Sequence, residues 1–202
     1  MSAPLPDAPP LNGREIVVAV CGGIAAYKAA EVVSQLAQRG AGVTVVMTAA
    51  ARKFVTPLTF ATLSGRPVLT GTFSAAEANP QHISLTERAD LMLVAPATSN
   101  LIAKAANGIC DDIVSLMIAA AACPVVFAPA MNNRMWENPV ATENRAKLQR
   151  LGYRFIGPDD GWLACRNTGP GRLSEPGKIV EEVTRLLAQT METVMPKGQR
   201  AM

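Results

Sequence analysis

Short apolar runs alternate along this chain with longer amphipathic stretches. Four of the runs have the length of a strand, and they cover Glu15–Val20, Gly42–Met47, 91–95 and 125–128. Runs with almost no polar interruption are typical of strands that are buried on both faces of a parallel sheet. The stretch 24–39 instead repeats its apolar residues at helical spacing. Strands that alternate with helices predict an α/β fold, in which a parallel sheet carries helices on both faces.

The same patterns predict the other elements and the limits of the domain. Residues 1–13 contain four prolines and no apolar periodicity, so they are predicted to form a loose tail. Residues 14–190 are predicted to form one domain, and 191–202 a second tail. Further helices are predicted at 49–53, 56–63, 85–89, 101–106, 113–122, 139–151 and 178–189, and further strands at 67–69 and 153–156.

The amino-acid composition indicates a globular protein and argues against some classes of partner. Hydrophobic residues make up 49% of the 202 residues and charged residues 17%, which is typical of a globular chain. The net charge of +3, without a cluster of basic residues, argues against a nucleic-acid partner. Pro124 divides the uncharged stretch 113–129 into parts too short to span a membrane.

The cysteine and histidine content indicates the cellular compartment of the protein and limits the kinds of metal site it can form. The four cysteines include no Cys-x-x-Cys pair and no secretory signal precedes them, so reduced thiols and a cytoplasmic location are expected. A single histidine excludes a metal site built from several histidines. Asp111 and Asp112 precede a predicted helix, and helix capping explains both carboxylates better than a metal does.

Small polar residues follow the predicted strands, where open α/β sheets bind their ligands. Gly22 and Gly23 join the first strand to a helix, and free backbone N–H groups in such a turn can hold a phosphate. This turn is neither a G-x-G-x-x-G fingerprint nor a P-loop, so nicotinamide and triphosphate ligands are disfavoured. Thr48, Thr98 and Asn132 follow later strands, and each can alternatively be read as a cap or a turn residue.

Two irregular stretches are candidates for a functional role. The segment 161–176 is rich in glycine and proline, which suits a mobile flap, although a plain long loop is the simpler interpretation. The segment 70–81 is polar and is predicted to form a surface loop. His82 follows it, and a lone histidine is more often a surface or capping residue than a catalyst.

Five blocks of the sequence, in this order, resemble the homo-oligomeric flavin-containing cysteine decarboxylases, and most of all those that act on phosphopantothenoylcysteine in coenzyme A synthesis. The resemblance extends from about Glu15 to Leu187. The blocks are Gly22-Gly23-Ile24-Ala25-Ala26-Tyr27-Lys28, His82, Pro96-Ala97-Thr98-Ser99-Asn100, the P-x-M-N-x-x-M-W motif from Pro129 to Trp136, and Ala164-Cys165 followed by Gly169-Pro170-Gly171-Arg172-Leu173.

The resemblance implies a Rossmann-like fold with a six-stranded parallel sheet in the order 3-2-1-4-5-6, FMN as cofactor, and a homo-oligomer, either a trimer or a dodecamer. Two positions depart from the pattern: Cys21 stands where many members have Ser or Thr, and Leu101 where many have Thr. The implied cofactor contacts are Gly22, Gly23, Ile24, Thr48, Thr98, Ser99, Asn100, Leu101 and Ala130. The implied substrate contacts are Met131, Asn132, Ala164 and Cys165.

The resemblance also implies a reaction, the decarboxylation of 4′-phosphopantothenoyl-cysteine to 4′-phosphopantetheine. The carboxylate has no electron sink beside it until the thiol is oxidised, and a flavin can take the hydride. By resemblance, Asn132 grips the carboxylate, His82 supports oxidation and decarboxylation, and Cys165 protonates the enethiol intermediate. The chain ends where fused relatives continue into a nucleotide-binding domain, so no ligase activity is expected.

Three other functions remain open at this stage. A peptidyl-cysteine decarboxylase would share the flavin chemistry, but the glycine-rich flap resembles the coenzyme A enzymes better. A flavin prenyltransferase would share the fold without needing Asn132 or Cys165. A non-enzymatic flavin-binding regulatory subunit is the third alternative, and the presence of His82, Asn132 and Cys165 together favours an enzyme. A small-molecule substrate is expected, with neither nucleic acid nor a membrane as partner.

Overall fold

The computed structural model of this chain describes residues 11–71 and 81–193. Strands and helices alternate through most of this part of the chain, as the sequence predicts. A short 3-10 helix, Ala51–Lys53, stands where a helix at 49–53 was expected. The elements in chain order are β1 (Glu15–Val20), α1 (Ala26–Gln38), β2 (Gly42–Met47), α2 (Pro57–Ser64), α3 (Gln81–Arg88), β3 (Leu91–Ala97), α4 (Ser99–Asn107), α5 (Ile113–Ala120), β4 (Val125–Pro129), α6 (Asn133–Glu137), α7 (Pro139–Arg150), β5 (Arg154–Phe155), β6 (Asp159–Trp162), β7 (Thr168–Arg172) and α8 (Pro176–Thr193).

The central sheet has the order β2-β1-β3-β4-β5, and all its strand pairs are parallel. The predicted third strand, 67–69, pairs with β2 only through a single bridge between Leu69 and Val46. Leu69 N–H donates to Val45 O at 2.9 Å and Leu69 O accepts from Met47 N–H at 2.8 Å. Pro67 has no N–H to extend the ladder. The predicted order is therefore kept, but the sheet has five strands among the described residues rather than six.

The core lies in two layers, one on each face of the sheet. Alternate residues of β1 point to opposite faces, as in any strand. Ile16, Val18 and Val20 belong to the cluster that contains α1 and α8, whereas Val17 and Ala19 belong to the cluster that contains α4 and α5. The predicted three-layer α/β/α architecture is confirmed.

Local capping explains where several helices begin. Asp112 accepts hydrogen bonds from the backbone of α5, and Ser115 reciprocates as the second half of a capping box. Lys104 of α4 contacts Asp111 at 2.6 Å and Asp112 at 2.9 Å, so both carboxylates have structural partners. The capping role predicted for Asp112 is confirmed.

The structure describes residues on either side of the segment 14–190 that the sequence assigns to the domain. Leu11 is buried, and its N–H donates to the carbonyl of Arg39 at 2.7 Å. At the other end α8 continues to Thr193, beyond the predicted helix end at 189. Among the helices of the described residues, none is both long and apolar enough to span a bilayer.

Two elements near the expected site differ from the sequence prediction. The segment 161–176 was expected to be a loop, but most of it belongs to a two-stranded antiparallel hairpin made of β6 and β7. The short helix α6 follows the Pro129–Asn132 segment, where only a loop was expected. The hairpin and α6 lie beside each other, and the hairpin forms one wall of the site described next.

Candidate functional site

The carboxyl ends of the neighbouring strands are joined by hydrogen bonds along one edge of the sheet. Thr48 N–H donates to Val20 O at 3.1 Å, and Cys21 N–H donates to Pro96 O at 3.3 Å. Ala130 N–H donates to Ala97 O at 3.0 Å. The polar segments that follow β1, β2, β3 and β4 therefore meet at one edge, where the order of the strands reverses between β1 and β3.

The glycine turn after β1 presents backbone donors at this edge. A side chain at Gly22 would run into Ala50, whose carbonyl carbon lies 2.7 Å from the position of the missing Cβ, whereas Gly23 faces open space. In the described part of the chain, the N–H groups of Gly22, Gly23 and Ile24 have no hydrogen-bond acceptor. Unpaired N–H groups ahead of a helix are suited to an anionic ligand.

Asn132 occupies the N-cap of α6 and also lines the cavity beside it. Its Oδ1 accepts a hydrogen bond from Arg134 N–H at 2.8 Å. The prediction that Asn132 acts as a cap is therefore confirmed, and the capping atom is its side-chain oxygen. The amide NH₂ of Asn132 has no acceptor among the described residues, and it is a donor that a ligand carboxylate can use.

Cys165 lies at the tip of the hairpin. Leu163 N–H donates to Asn167 O at 2.8 Å, and Arg166 N–H donates to Leu163 O at 2.9 Å, which makes a three-residue hairpin loop. Arg166 takes the left-handed position of this loop with φ 64°, where glycine is usual. This conformation costs a non-glycine residue about 1 kcal/mol. The tight turn fixes the exposed thiol of Cys165 at the mouth of the cavity.

The hairpin is attached to the sheet through its backbone at Gly171. Met131 N–H donates to Gly171 O at 2.9 Å. A Cβ at Gly171 would overlap the carbonyl oxygen of Met131, and φ is +131°, a conformation that L side chains rarely adopt. Glycine is therefore required for β7 to lie against the segment that follows β4.

Replacing Gly171 with Ala is expected to detach the hairpin, because both the overlap with Met131 and the positive φ oppose the docked state. A strained backbone of this kind costs about 1–3 kcal/mol. We expect faster hydrogen exchange and faster proteolysis in 159–172. Gly177→Ala is the matched control, since a Cβ at Gly177 meets nothing within 4 Å. Equal exchange rates in the two variants would contradict this account of the hairpin.

An ion pair and a hydrogen bond at the base of the hairpin link it to the start of α8. Asp159 contacts Ser174 Oγ at 2.9 Å and Lys178 Nζ at 2.5 Å. Burial raises the pKa of Asp159, but the hydrogen bonds from Lys178 and Ser174 outweigh burial, so this pKa lies below its ordinary value. Asp159 is therefore a stable anion that anchors β6 to the start of α8.

The glycine turn, the segment after β4 and the hairpin enclose one cavity of about 610 Å³. A cavity of this size falls in the range that holds cofactors and small substrates. Its lining residues come from α1 with the preceding turn, from the segment after β4, and from the hairpin with the residue that follows it. They are Gly23, Ile24, Ala25, Tyr27, Lys28, Ala130, Met131, Asn132, Trp162, Leu163, Ala164, Cys165, Gly171, Arg172 and Leu173.

The cavity brings together seven of the residues predicted from the resemblance. These are Gly23, Ile24, Ala130, Met131, Asn132, Ala164 and Cys165. These residues come from three segments that are far apart in the sequence, and only the folded chain brings them together. The structure thus places the proposed carboxylate-binding residue and the proposed proton donor at one cavity.

The remaining predicted cofactor contacts lie at the same edge of the sheet, outside the cavity lining. Thr98 Oγ1 caps α4 by accepting from Leu101 N–H at 3.3 Å. Thr48 Oγ1 accepts from Ala51 N–H, at the start of the 3-10 helix, at 3.1 Å. The Leu101 side chain is buried. Contact of Thr48, Thr98, Ser99, Asn100 or Leu101 with a cofactor stays a prediction.

The structure gives no account of the proposed catalytic histidine. The backbone of His82 lies in the first turn of α3, but its side chain is outside the described part of the structure. Its proposed role therefore stays a prediction that rests on the resemblance.

Several cavity residues were not predicted from the sequence. Lys28 and Arg172 lie within blocks that carry the resemblance, but neither was assigned a role. Lys28 is four residues after Ile24, so the helix predicted at 24–39 would carry both residues on one face. This spacing could have identified Lys28 as a candidate from the sequence. No local sequence feature identifies Trp162 as a cavity residue.

Cys21, which stands where many family members have a hydroxyl residue, is a core residue. Its side chain is almost completely buried, and burial raises the pKa of its thiol to about 12. A thiol of this kind stays neutral and does not act as an acid or a nucleophile. Ligand contacts at this turn therefore depend on backbone N–H groups.

Comparison with known proteins gives a consistent result. Residues 7–188 match the Flavoprotein family. The chain is 47% identical over 189 residues to the coenzyme A biosynthesis bifunctional protein CoaBC of Bacillus subtilis, which covers 92% of this chain and 46% of that protein. The chain therefore spans about half the length of this curated relative.

Two solved structures are similar over nearly their whole length. A mutant PPC decarboxylase complexed with pantothenoylaminoethenethiol is 27% identical with a TM-score of 0.76, covering 87% of this chain and 98% of that one. The FMN-dependent cysteine decarboxylase SpaF is 29% identical with a TM-score of 0.73, covering 87% of this chain and 99% of that one.

Proposed function

This chain belongs to the Flavoprotein family, and we propose that it is an FMN-dependent decarboxylase that converts 4′-phosphopantothenoyl-cysteine to 4′-phosphopantetheine. One observation carries the proposal: a single cavity is lined by the glycine turn, by Asn132 and by Cys165. The turn offers donors to a cofactor phosphate, the amide offers a donor to a carboxylate, and the thiol offers a proton. The similarity to CoaBC and to PPC decarboxylase supports the choice of substrate.

The residues at the edge of the sheet fit FMN. The unpaired N–H groups at Gly22, Gly23 and Ile24 suit its phosphate, and the tight approach of Ala50 to Gly22 holds the turn in place. The polar ends of β2 and β3, with Thr48 and Thr98, are proposed to contact the rest of the cofactor. When bound, FMN would supply the oxidation of the substrate thiol and return the electrons after CO₂ loss.

The side chains of the cavity would orient the substrate and move protons. Asn132 donates its amide N–H to the substrate carboxylate, and capping of α6 by its oxygen fixes the rotation of the amide group. The docked hairpin shields this end of the cavity from water, because β7 lies directly against Met131. After CO₂ has left, Cys165 donates its thiol proton to the carbon of the enethiolate. His82 is proposed to assist the earlier oxidation and decarboxylation.

A second substrate class is favoured by the similarity to SpaF, an FMN-dependent cysteine decarboxylase. A peptide that ends in cysteine presents the same carboxylate and thiol to Asn132 and Cys165. The two substrates differ in the arm that extends from the cysteine. Direct comparison of CO₂ release from both compounds separates the two functions.

The purified protein is expected to be yellow and to release FMN on denaturation, because the donors at the glycine turn suit a phosphate. The holoprotein should then release CO₂ from 4′-phosphopantothenoyl-cysteine. Visible absorbance and chromatography of the released cofactor test the first step, and a coupled CO₂ assay tests the second. Colourless protein that takes up no added FMN would refute the proposal.

We further propose that the active protein is a homo-oligomer, a trimer or a dodecamer. Large apolar side chains remain exposed at the rim of the cavity, with Ile24 and Tyr27 each 60% exposed and Trp162 65% exposed. Apolar surface beside a functional cavity is typical of an interface. Light scattering of the holoprotein measures its mass, and a monomer at assay concentration would exclude this assembly.

A further inference from the structure

We propose that Arg145 is a positioning residue for Asn132: it fixes the short helix α6 that Asn132 caps, and so holds the Asn132 amide in place for the substrate carboxylate. This inference rests on the proposed function and adds a residue that acts on the reaction from outside the cavity. Arg145 does not line the cavity, and the sequence assigned it no role. It lies on α7, nine residues after Trp136.

The helix α6 needs support from outside itself. It has five residues, and none of them is buried. A helix this short is marginal on its own in water. Asn132 is bonded to α6 twice: its backbone oxygen accepts from Trp136 N–H at 3.0 Å, and its Oδ1 accepts from Arg134 N–H at 2.8 Å. The position of Asn132 therefore depends on what holds α6 against the rest of the chain.

Arg145 holds α6 through both the backbone and the ring of Trp136. Its Nη1 donates to Trp136 O at 2.7 Å, and its Cζ lies 3.6 Å from the centroid of the Trp136 ring. Carbonyls in the last turn of a helix lack an intrahelical partner, and the helix dipole favours a cation beside them. A guanidinium over the face of a tryptophan also gains cation–π attraction. Nη2 donates to Thr142 Oγ1 at 3.0 Å, which fixes the guanidinium on α7.

Arg145 makes these contacts without a carboxylate partner. Within 11–71 and 81–193, no Asp or Glu forms an ion pair with it. Burial lowers the pKa of Arg145 from its ordinary value, so the group is partly removed from water, yet an arginine stays charged at neutral pH. A cation taken out of water is stable only where it is paired or hydrogen-bonded. The carbonyl and the ring of Trp136 meet that need, so this contact is specific.

Release of α6 from α7 would displace Asn132. Among the residues that the structure describes, the bond between Arg145 and Trp136 is the one hydrogen bond that joins α6 to another helix or strand. On its other side α6 packs against β7, where a Cβ at Gly169 would lie 3.4 Å from Asn133 Cβ. Packing alone allows a short helix to turn, whereas a hydrogen bond fixes its direction. Because Asn132 immediately precedes α6, such a turn would move its amide away from the carboxylate.

The test measures how strongly the holoprotein prefers a carboxylate, which does not depend on turnover. Calorimetry compares binding of 4′-phosphopantothenoyl-serine with binding of 4′-phosphopantothenoyl-ethanolamine, which lacks the carboxylate. Neither compound has the thiol that is oxidised in the proposed reaction. We expect wild-type protein to bind the serine compound about 30-fold more tightly, and Arg145→Leu to reduce this ratio to about threefold. A role in stability alone would weaken both compounds equally and leave the ratio unchanged.

Two further variants separate the position of Asn132 from the charge of Arg145. Arg150→Leu removes a cation from the exposed end of the same helix and should keep the wild-type ratio. Arg145→Lys keeps the charge, but one ammonium group cannot both donate to the Trp136 carbonyl and lie flat on its ring. It should therefore reach a ratio of at most about tenfold. A wild-type ratio in Arg145→Leu or Arg145→Lys, or an equal loss in Arg150→Leu, would overturn the proposal.

A double variant shows whether Arg145 acts through Asn132. Asn132→Ser keeps an oxygen that can cap α6 but removes the amide donor, so its ratio should be close to one. Adding Arg145→Leu should leave that ratio where it is, because the residue through which Arg145 acts is already gone. A further fall of about tenfold would mean that the two residues act independently, and the proposal would be wrong.

The wild-type ratio separates this inference from the proposed function. If wild-type protein shows no preference for the carboxylate, the proposed role of Asn132 fails, and the role of Arg145 fails with it. If the preference is present and depends on Arg145, but no CO₂ is released from 4′-phosphopantothenoyl-cysteine, the positioning role stands and the proposed reaction fails.

Discussion

Replacing Asn132 with Asp is expected to lower the rate of CO₂ release about 1,000-fold while FMN remains bound. The substitution removes the amide donor and places a negative charge against the substrate carboxylate. A lost hydrogen bond to a charged group and a like-charge contact in a water-poor site together cost about 4 kcal/mol, which corresponds to that factor. The coupled CO₂ assay on holoprotein measures the loss.

Asn132→Asp can distinguish an effect on catalysis from an effect on folding, because it keeps the helix cap. Asn132 Oδ1 accepts from Arg134 N–H, and an Asp carboxylate at the N-cap accepts the same bond equally well. Asn138→Asp is the matched control, since Asn138 caps α7 through a bond of 3.0 Å from Val140 N–H and does not line the cavity. Normal CO₂ release by Asn132→Asp would show that Asn132 acts only as a helix cap.

Asn132 also shows what a sequence can and cannot reveal about this site. Its capping role follows from local chemistry, so it was among the interpretations that the sequence allowed. The strands of the central sheet were predictable for a similar reason, since their apolar runs are buried on both faces. The reduced third strand shows the limit, because Pro67 lacks an N–H and only Leu69 of 67–69 forms a bridge with β2.

The hairpin could not be predicted from local signals. Its second strand, Thr168–Arg172, contains two glycines and a proline, residues that are depleted in strands. It pairs because the backbone of Gly171 docks on Met131, a contact between residues forty positions apart in the sequence. The partnership of Lys28 with Glu175 is likewise tertiary. Resemblance supplied the roles of Asn132 and Cys165, whereas the contact of Lys28 with Glu175 appears only in the folded chain.

Replacing Cys165 with Ser is expected to stop the reaction after CO₂ has left. A serine hydroxyl is close in size to the thiol but is a far weaker acid, so protonation of the enethiolate should stall. The hairpin should keep its shape, because Leu163 N–H donates to Asn167 O and Arg166 N–H donates to Leu163 O at the tip, and Cys165 is exposed. We therefore expect about one CO₂ per bound flavin and no 4′-phosphopantetheine.

Mass spectrometry of the products identifies the step at which this variant stops. Cys165→Ser should accumulate an enethiol with two hydrogens fewer than 4′-phosphopantetheine. His82→Asn provides the contrast, since a block before decarboxylation should give neither CO₂ nor enethiol. The two variants thus separate an early role from a late one in the proposed reaction. Full formation of 4′-phosphopantetheine by Cys165→Ser would remove Cys165 from the mechanism, and the thiol at the hairpin tip would then be an ordinary exposed cysteine.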